Sequence, residues 1–310
     1  MKRKIVKQGN QALTITLPSS WAKRYGVKPK GEIEVEEFGS KLIINSSCQT
    51  QVMNAVLDVI NVPKELIQRY LVGAYKKGSD EIEVHFSAES IVLDTGEVMQ
   101  SIDIIQRVVN DFLIGMEIVE HKDNYCKIKQ ISSISANEFD LVLRRNFYLL
   151  ISLSEMAYEA VKKNRIEYRL IKNIHNNIEK FVNYAIRILN KRGYDEKTAT
   201  FYYLLTEIEE ISDAYTYAMR ELSRDKIRVD SRVLDVFQKV NESLRTFYEF
   251  FYNAKKEKAV SIIRSRRQVA SRIAELMKTP GIANAVLLSQ LFQIDGRLLN
   301  LVETRMSMME

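Results

Sequence analysis

The chain has 310 residues, 46% of them hydrophobic and 28% charged, an ordinary balance for a soluble globular protein of two or three domains. No run of eighteen apolar residues occurs, and Met1-Lys2-Arg3-Lys4 does not lead into an apolar stretch, so neither membrane insertion nor a secretory signal is expected. Cys48 and Cys126 have no metal-ligand spacing, which fits a reduced, cytoplasmic interior and excludes a disulfide framework.

Charge is concentrated at the start. Residues 1–30 hold eight basic side chains (Lys2, Arg3, Lys4, Lys7, Lys23, Arg24, Lys28 and Lys30) and no acid before Glu32. The whole chain has 46 basic and 40 acidic side chains, so removing these eight leaves 38 against 40. A positive patch on a small folded unit is the footprint of a polyanion binder.

Within that stretch, Lys4-Ile5-Val6-Lys7 alternates, Gln8-Gly9-Asn10-Gln11 supplies turn residues, and Leu13, Ile15 and Leu17 alternate with threonines as a half-buried strand. Pro18 ends that strand, and Ser19 and Ser20 are placed to cap a short helix through Trp21 to Tyr25, closed by Gly26. Glu32 to Glu36 and Leu42 to Ile44 predict two more strands around Gly39-Ser40. So small a unit needs a second copy to cover its apolar faces, so a homodimer or higher oligomer is expected, and two-fold symmetry would pair two basic patches for half-site recognition of duplex DNA.

The run Lys7-Gln8-Gly9, Thr14-Ile15-Thr16-Leu17-Pro18, Trp21, Gly26-Val27 and Gly31-Glu32-Ile33-Glu34-Val35 resembles the AbrB/SpoVT DNA-binding domain, in its archaeal form. The likeness covers about 45 residues. It implies a swapped-hairpin β-barrel dimer, with DNA contacted by Lys23 and Arg24 at the family's basic pair and by Lys4 and Lys7 on the first strand. The position of the family's loop arginine falls at Gln11 or Ala12, which makes Gln11 the fifth candidate. The alternative from the residues alone is a barrel that only dimerises, with a solvated lysine face.

From Ser46 to about Ile134 the pattern is mixed. Pro63 opens a helix that Gly78 closes, and Asp80 to Phe86 alternates as a strand. Residues 97–113 predict a second helix with Val98, Ile102, Ile105, Val108, Val109 and Phe112 on one stripe. Gly115 breaks it, and a hairpin turns about Asp123-Asn124. His85 and His121 are read as surface or satisfied histidines.

The remaining residues are nearly all helical. Ser135-Ala136-Asn137-Glu138 reads as a capping box before an apolar stripe from Phe139 to Val161. A second helix runs from Arg165 to Lys191, and a third, capped by Asp195, carries Leu204, Leu205, Ile208, Ile211 and Tyr215. The scheme repeats over Leu234 to Asn253, Val260 to Met277 and Ile282 to about Met306, with the third and sixth helices starting roughly 86 residues apart. That is a tandem antiparallel bundle.

On the third helix, Glu209 and Asp213 are four apart and share a face turned from the Ile208/Ile211 stripe. Paired carboxylates can share Mg, Mn or Fe, or form a solvated acidic face with Asp213 paired to Arg220. The doubled plan, with Leu205-Thr206-Glu207-Ile208-Glu209-Glu210-Ile211-Ser212-Asp213, resembles the PhoU domain over about residues 138–310. That resemblance implies a divalent or ferric metal ion at Glu209 and Asp213 and no other cofactor. It also implies a role in phosphate uptake, with a phosphate transporter ATPase or signalling protein as partner. The second repeat places Phe292 and Gly296 where the carboxylates belong, with Asp295 beside them, so at most one metal site per chain is implied.

No nucleotide-binding or nucleophile-elbow motif occurs, and His175, with Lys172 three before it, lacks the Glu-x-x-His pattern of metal oxidases, so no enzyme is expected. His175 and Glu179 read as a surface pair. The expected class is α+β multidomain. The DNA-binding unit occupies residues 1–46, a small α/β unit 47–134, and an all-α domain 135–310, with repeats over 135–225 and 230–310.

Overall fold

A computed structural model describes residues 2–8, 12–38, 41–45, 52–87, 90–92, 98–132, 138–192, 196–224, 228–278 and 281–309. The chain forms two compact units, Met1–Met53 and Asn54–Glu310. The expected middle unit and helical domain therefore belong to one body.

In the first unit β1 (Val6–Gln8) pairs antiparallel with β2 (Ala12–Thr14), Val6 opposite Thr14, and the Thr14 hydroxyl donates to the Val6 carbonyl at 3.1 Å. Helix α1 (Ser19–Arg24) starts after Pro18 with no side-chain cap, contrary to the expectation for Ser19 and Ser20. Gly26 closes it at φ 65°, a left-handed conformation that glycine adopts without strain. Strands β3 (Glu34–Phe38) and β4 (Lys41–Asn45) form a second hairpin, Val35 opposite Ile44. The two hairpins are separate two-stranded sheets, so no closed barrel forms among the described residues of one chain. None of those residues is buried: Ile5, Val6, Leu13, Ile15, Val35 and Leu42 are all exposed.

The second unit opens with β5 (Asn54–Asp58), a strand the sequence reading did not anticipate. Helix α2 (Lys64–Lys77) follows Pro63 and stops at Gly78, φ 104°, with Ile67, Leu71 and Tyr75 on its buried stripe. Strand β6 (Glu81–His85) lies parallel to β5. A small hairpin of β7 (Ser90–Val92) and β8 (Val98–Gln100) precedes α3 (Ser101–Phe112). Val98 thus belongs to a strand and is exposed, and the helix begins later than its stripe suggested. Strands β9 (Met116–Lys122) and β10 (Tyr125–Gln130) complete a sheet in the order β5-β6-β10-β9. Ile82, Val84, Cys126 and Ile128 are buried on the inner face, while Lys127 and Lys129 pair with Glu81 at 2.9 Å on the outer one.

Six long helices follow: α4 (Phe139–Lys162), α5 (Tyr168–Arg192), α6 (Thr198–Arg224), α7 (Ser231–Tyr252), α8 (Lys256–Leu276) and α9 (Ile282–Met306). Asp230 caps α7 by accepting from the Arg232 N–H, whereas Glu138 gives α4 no side-chain cap and Ser135 and Asp195 lie outside the described residues. The first helices of the two repeats, α4 and α7, pack together, as do the third helices, α6 and α9. Helices α2 and α3 lie on α5. The end of α5 ties the two layers together. Arg187 and Asn190 donate to the Tyr75 and Lys76 carbonyls at 2.8 and 2.7 Å, satisfying the last turn of α2, and Lys191 bonds Asp80.

Candidate nucleic-acid interface and acidic cavity

Lys23 and Arg24 stand in the last turn of α1, where the helix dipole favours cations, and the Trp21 and Tyr25 rings pack 5.5 Å apart on the same turn. Lys7 lies on β1 and Lys4 just before it. All eight early cations are exposed, and none makes an ion pair with a described residue. Gln11, the fifth candidate contact, lies outside the described residues.

The carboxylates of α6 line a cavity of about 500 Å³ between α2, α5 and α6. Its walls bring Glu209 and Asp213 together with Glu179 from α5 and with Gln68, Arg69 and Lys76 from α2. Arg69 and Lys76 are seven residues apart and so share a face of α2. Lys76 Nζ is 3.9 Å from Glu209 Oε2, and Gln68 donates to Glu179 Oε1 at 3.3 Å. Burial pushes the Glu179 carboxyl up to about 7, with Glu209 adding to the effect. Burial also raises Glu209, against the opposing pull of Lys76.

His175 is buried beneath this cavity and is not the surface residue expected from its sequence context. Its Nδ1 lies 3.2 Å from Ser212 Oγ and 3.5 Å from Asp213 Oδ1. The Ser212 hydroxyl already donates to the Glu209 carbonyl at 2.8 Å, which assigns the imidazole proton to Nδ1 and leaves Nε2 as an acceptor 3.9 Å from Glu179. Burial and then Lys172 hold the imidazole down to about 4, so it is neutral at physiological pH. Asp213, an exposed side chain, lies beside His175 and not beside Arg220, which pairs with Glu221 at 3.0 Å.

In the second repeat, Phe292 is half exposed and Gly296 has open space beside it. Asp295 is buried with one oxygen unpartnered, and burial pushes it up to about 6. Arg297 of α9 instead reaches across to α6, pairing with Glu207 at 3.2 Å and Glu210 at 2.8 Å. Glu207 and Glu210 of α6 thus answer Arg297, while Glu209, Glu210 and Asp213 line the cavity.

The donor set suits a hard cation by chemistry: oxygen ligands in a depression where burial holds two carboxyls above their usual range. Glu179, Glu209 and Asp213 would hold such an ion, and the charge it supplies is now partly met by Lys76. Among the described residues no three His, Cys, Asp or Glu side chains are already drawn together as a ready metal cluster. No helix among them is long and apolar enough to cross a membrane.

No family model matches the chain, and neither a curated protein nor a solved structure matches it.

Proposed function

We propose that the chain is a dimeric, DNA-binding regulator of phosphate homeostasis. One observation carries the first half of that reading. The first thirty residues present eight exposed cations, unpaired within the described chain, on a unit none of whose described residues is buried. Two isolated hairpins are marginal in water, and a second copy would cover Leu13, Ile15, Val35 and Leu42 and complete a barrel. The two patches of Lys4, Lys7, Lys23 and Arg24 would then address two half-sites of duplex DNA, with Gln11 at the loop position.

The resemblance of α6 and the doubled bundle to the PhoU domain supports the second half. In this reading the helical body relays phosphate status, and a metal ion, a phosphate-linked ligand or a transporter-associated partner favours one arrangement of the bundle. Glu179, Glu209 and Asp213 would hold the ion, with the His175 imidazole 3.5 Å from Asp213. The ion would supply positive charge to the cavity.

The experiment is a salt titration of binding to duplex fragments from the protein's own promoters, with and without metal and phosphate. DNA recognition predicts log affinity falling with log salt at about −0.9 per phosphate contact. A protein whose barrel only dimerises while the bundle docks on a transporter ATPase shows no such binding. Equal operator affinities with and without the effectors would remove the sensing step.

A further inference from the structure

The two repeats are alike in plan but differ at their middle helices. In the first, α5 is covered by α2 and α3, and its outer face is spent on the Arg187, Asn190 and Lys191 contacts. In the second, α8 packs against α7 and α9 and buries only Ala259, Ile262, Val269 and Ile273. Residues 255–278 hold eight basic side chains and two acidic ones. Lys258 and Arg272 are paired, to Glu249 at 3.0 Å and Glu275 at 2.6 Å. Lys255, Lys256, Arg264, Arg267 and Lys278 are exposed and make no ion pair with a described residue.

Lys256, Arg264 and Arg267 on α8, with Lys255 and Lys278 just outside its ends, are like charges that repel one another, so the arrangement costs stability unless an anionic partner answers it. The chain has acids enough elsewhere, but those of α6 are committed to Arg297 and Lys76. The character of the α8 face narrows the partner. Ser261, Ser265, Gln268 and Ser271 alternate with Lys256, Arg264 and Arg267 beside two grooves of about 670 and 820 Å³ between α7 and α8. Hydroxyl, amide and cationic side chains are those that hydrogen-bond phosphate oxygens. A membrane surface would call for an apolar stripe, and Val260 is the one large apolar side chain exposed near the N-terminal half of the face. A protein interface would call for aromatic anchors, and α8 has no aromatic residue. Glu242 and Glu257 line the first groove and Asp235, Glu242 and Glu275 the second, so the binding force lies in the outward cations and not in the groove floors.

We infer that the outer face of α8, from Lys256 through Arg264 to Arg267, is a second nucleic-acid surface that contacts duplex phosphates without reading sequence. The inference rests on the proposed DNA binding for its setting, but not for its residues. Such a surface adds to the affinity of every duplex equally and steepens its salt dependence.

The test uses the full chain and two labelled duplexes, one from its own promoter and one unrelated. Neutralising Lys256→Gln, Arg264→Gln and Arg267→Gln together is expected to make the salt slope shallower by about 2.7, at 0.9 per lost contact, on both duplexes. The conservative Arg264→Lys/Arg267→Lys variant is expected to keep the original slope, which separates lost charge from misfolding. An unchanged slope in the triple variant overturns the inference. So does a chain that takes up acidic peptide or anionic vesicles through these residues while its duplex binding stays unaltered. The Lys23→Glu/Arg24→Glu chain separates the two readings. If it binds DNA as the unaltered chain does, the N-terminal reading fails. A further loss of slope from the α8 substitutions in that background would still support the second surface.

Discussion

The guanidinium of Arg187 donates to the Tyr75 carbonyl at 2.8 Å and lies over the ring of the same residue, 4.7 Å from its centroid. A second nitrogen donates to Gln130 Oε1 at 2.7 Å, and Asp80 stands 3.6 Å away. One fully buried cation thus joins the end of α2, the end of β10 and the bundle. Removing it leaves the Tyr75 carbonyl with the Gly78 N–H alone, leaves Gln130 Oε1 with Lys191 alone, and empties a fully buried side-chain volume. Arg187→Ala should lower stability by about 2–5 kcal/mol, the cost of a cavity at a buried large side chain plus two lost hydrogen bonds. Chemical denaturation measures the loss, and hydrogen exchange should show α2 and α3 opening before α4 to α9.

The cavity carboxyl gives a pH signature with a definite sign. Glu179 is raised from its ordinary 4.5 to about 7, so its contribution to stability is complete below about pH 4.5 and is lost as pH rises through 7. At about 1.4 kcal/mol per pH unit, the charged form costs on the order of 3 to 3.5 kcal/mol at pH 8. Glu179→Gln keeps the acceptor for Gln68 and removes that cost. Its melting temperature relative to the unaltered chain should climb between pH 5 and pH 8. A difference that stays flat over that window would show that Glu179 is not the group responsible.

Lys76 supplies the positive charge nearest Glu209, at 3.9 Å. Lys76→Gln should lower stability at pH 8 by roughly 1 kcal/mol, because it leaves a partly buried carboxylate less compensated. The same variant should gain more thermal stability from millimolar Mn²⁺ than the unaltered chain does, and Glu209→Gln/Asp213→Asn should gain none. Equal responses from all three would detach the cation from this cavity.

The N-terminal unit leaves Leu13 70% exposed and Ile15 48% exposed in one chain. If a second copy covers them, Leu13→Ser with Ile15→Ser should cost about 1.5 kcal/mol or more per side chain. Sedimentation should then show the dimer dissociating at protein concentrations at least tenfold higher than for the unaltered chain.

Much of this molecule is legible from local pattern. Gly78 ends α2 and Gly115 follows α3 as the sequence suggests, and the apolar spacing of Leu204, Leu205, Ile208 and Ile211 marks a buried helix face. What escaped is what tertiary packing decides. The first turn of α8, Lys256-Glu257-Lys258, carries no apolar side chain to register a period, so the helix was expected to begin at Val260. Val98 sits at a strand-to-helix junction where a two-residue and a 3.6-residue period both accommodate it. His175 and Glu179 look solvated because their neighbours on α5 are polar, and their burial comes from α2 and α6, distant in sequence. The spacing of Arg69 and Lys76 on one face of α2 was the available signal for the basic wall of the cavity, although nothing local told which acids it would meet.

DNA recognition by this chain turns on Lys23 and Arg24. The direct measurement is equilibrium binding of the full chain to a duplex from its own promoter at low ionic strength, before and after Lys23→Glu/Arg24→Glu. The expected result is tight, salt-sensitive binding that the double reversal lowers by at least a hundredfold, with the dimer intact by sedimentation. Binding that is absent from the start, or that survives the reversal unchanged, contradicts it.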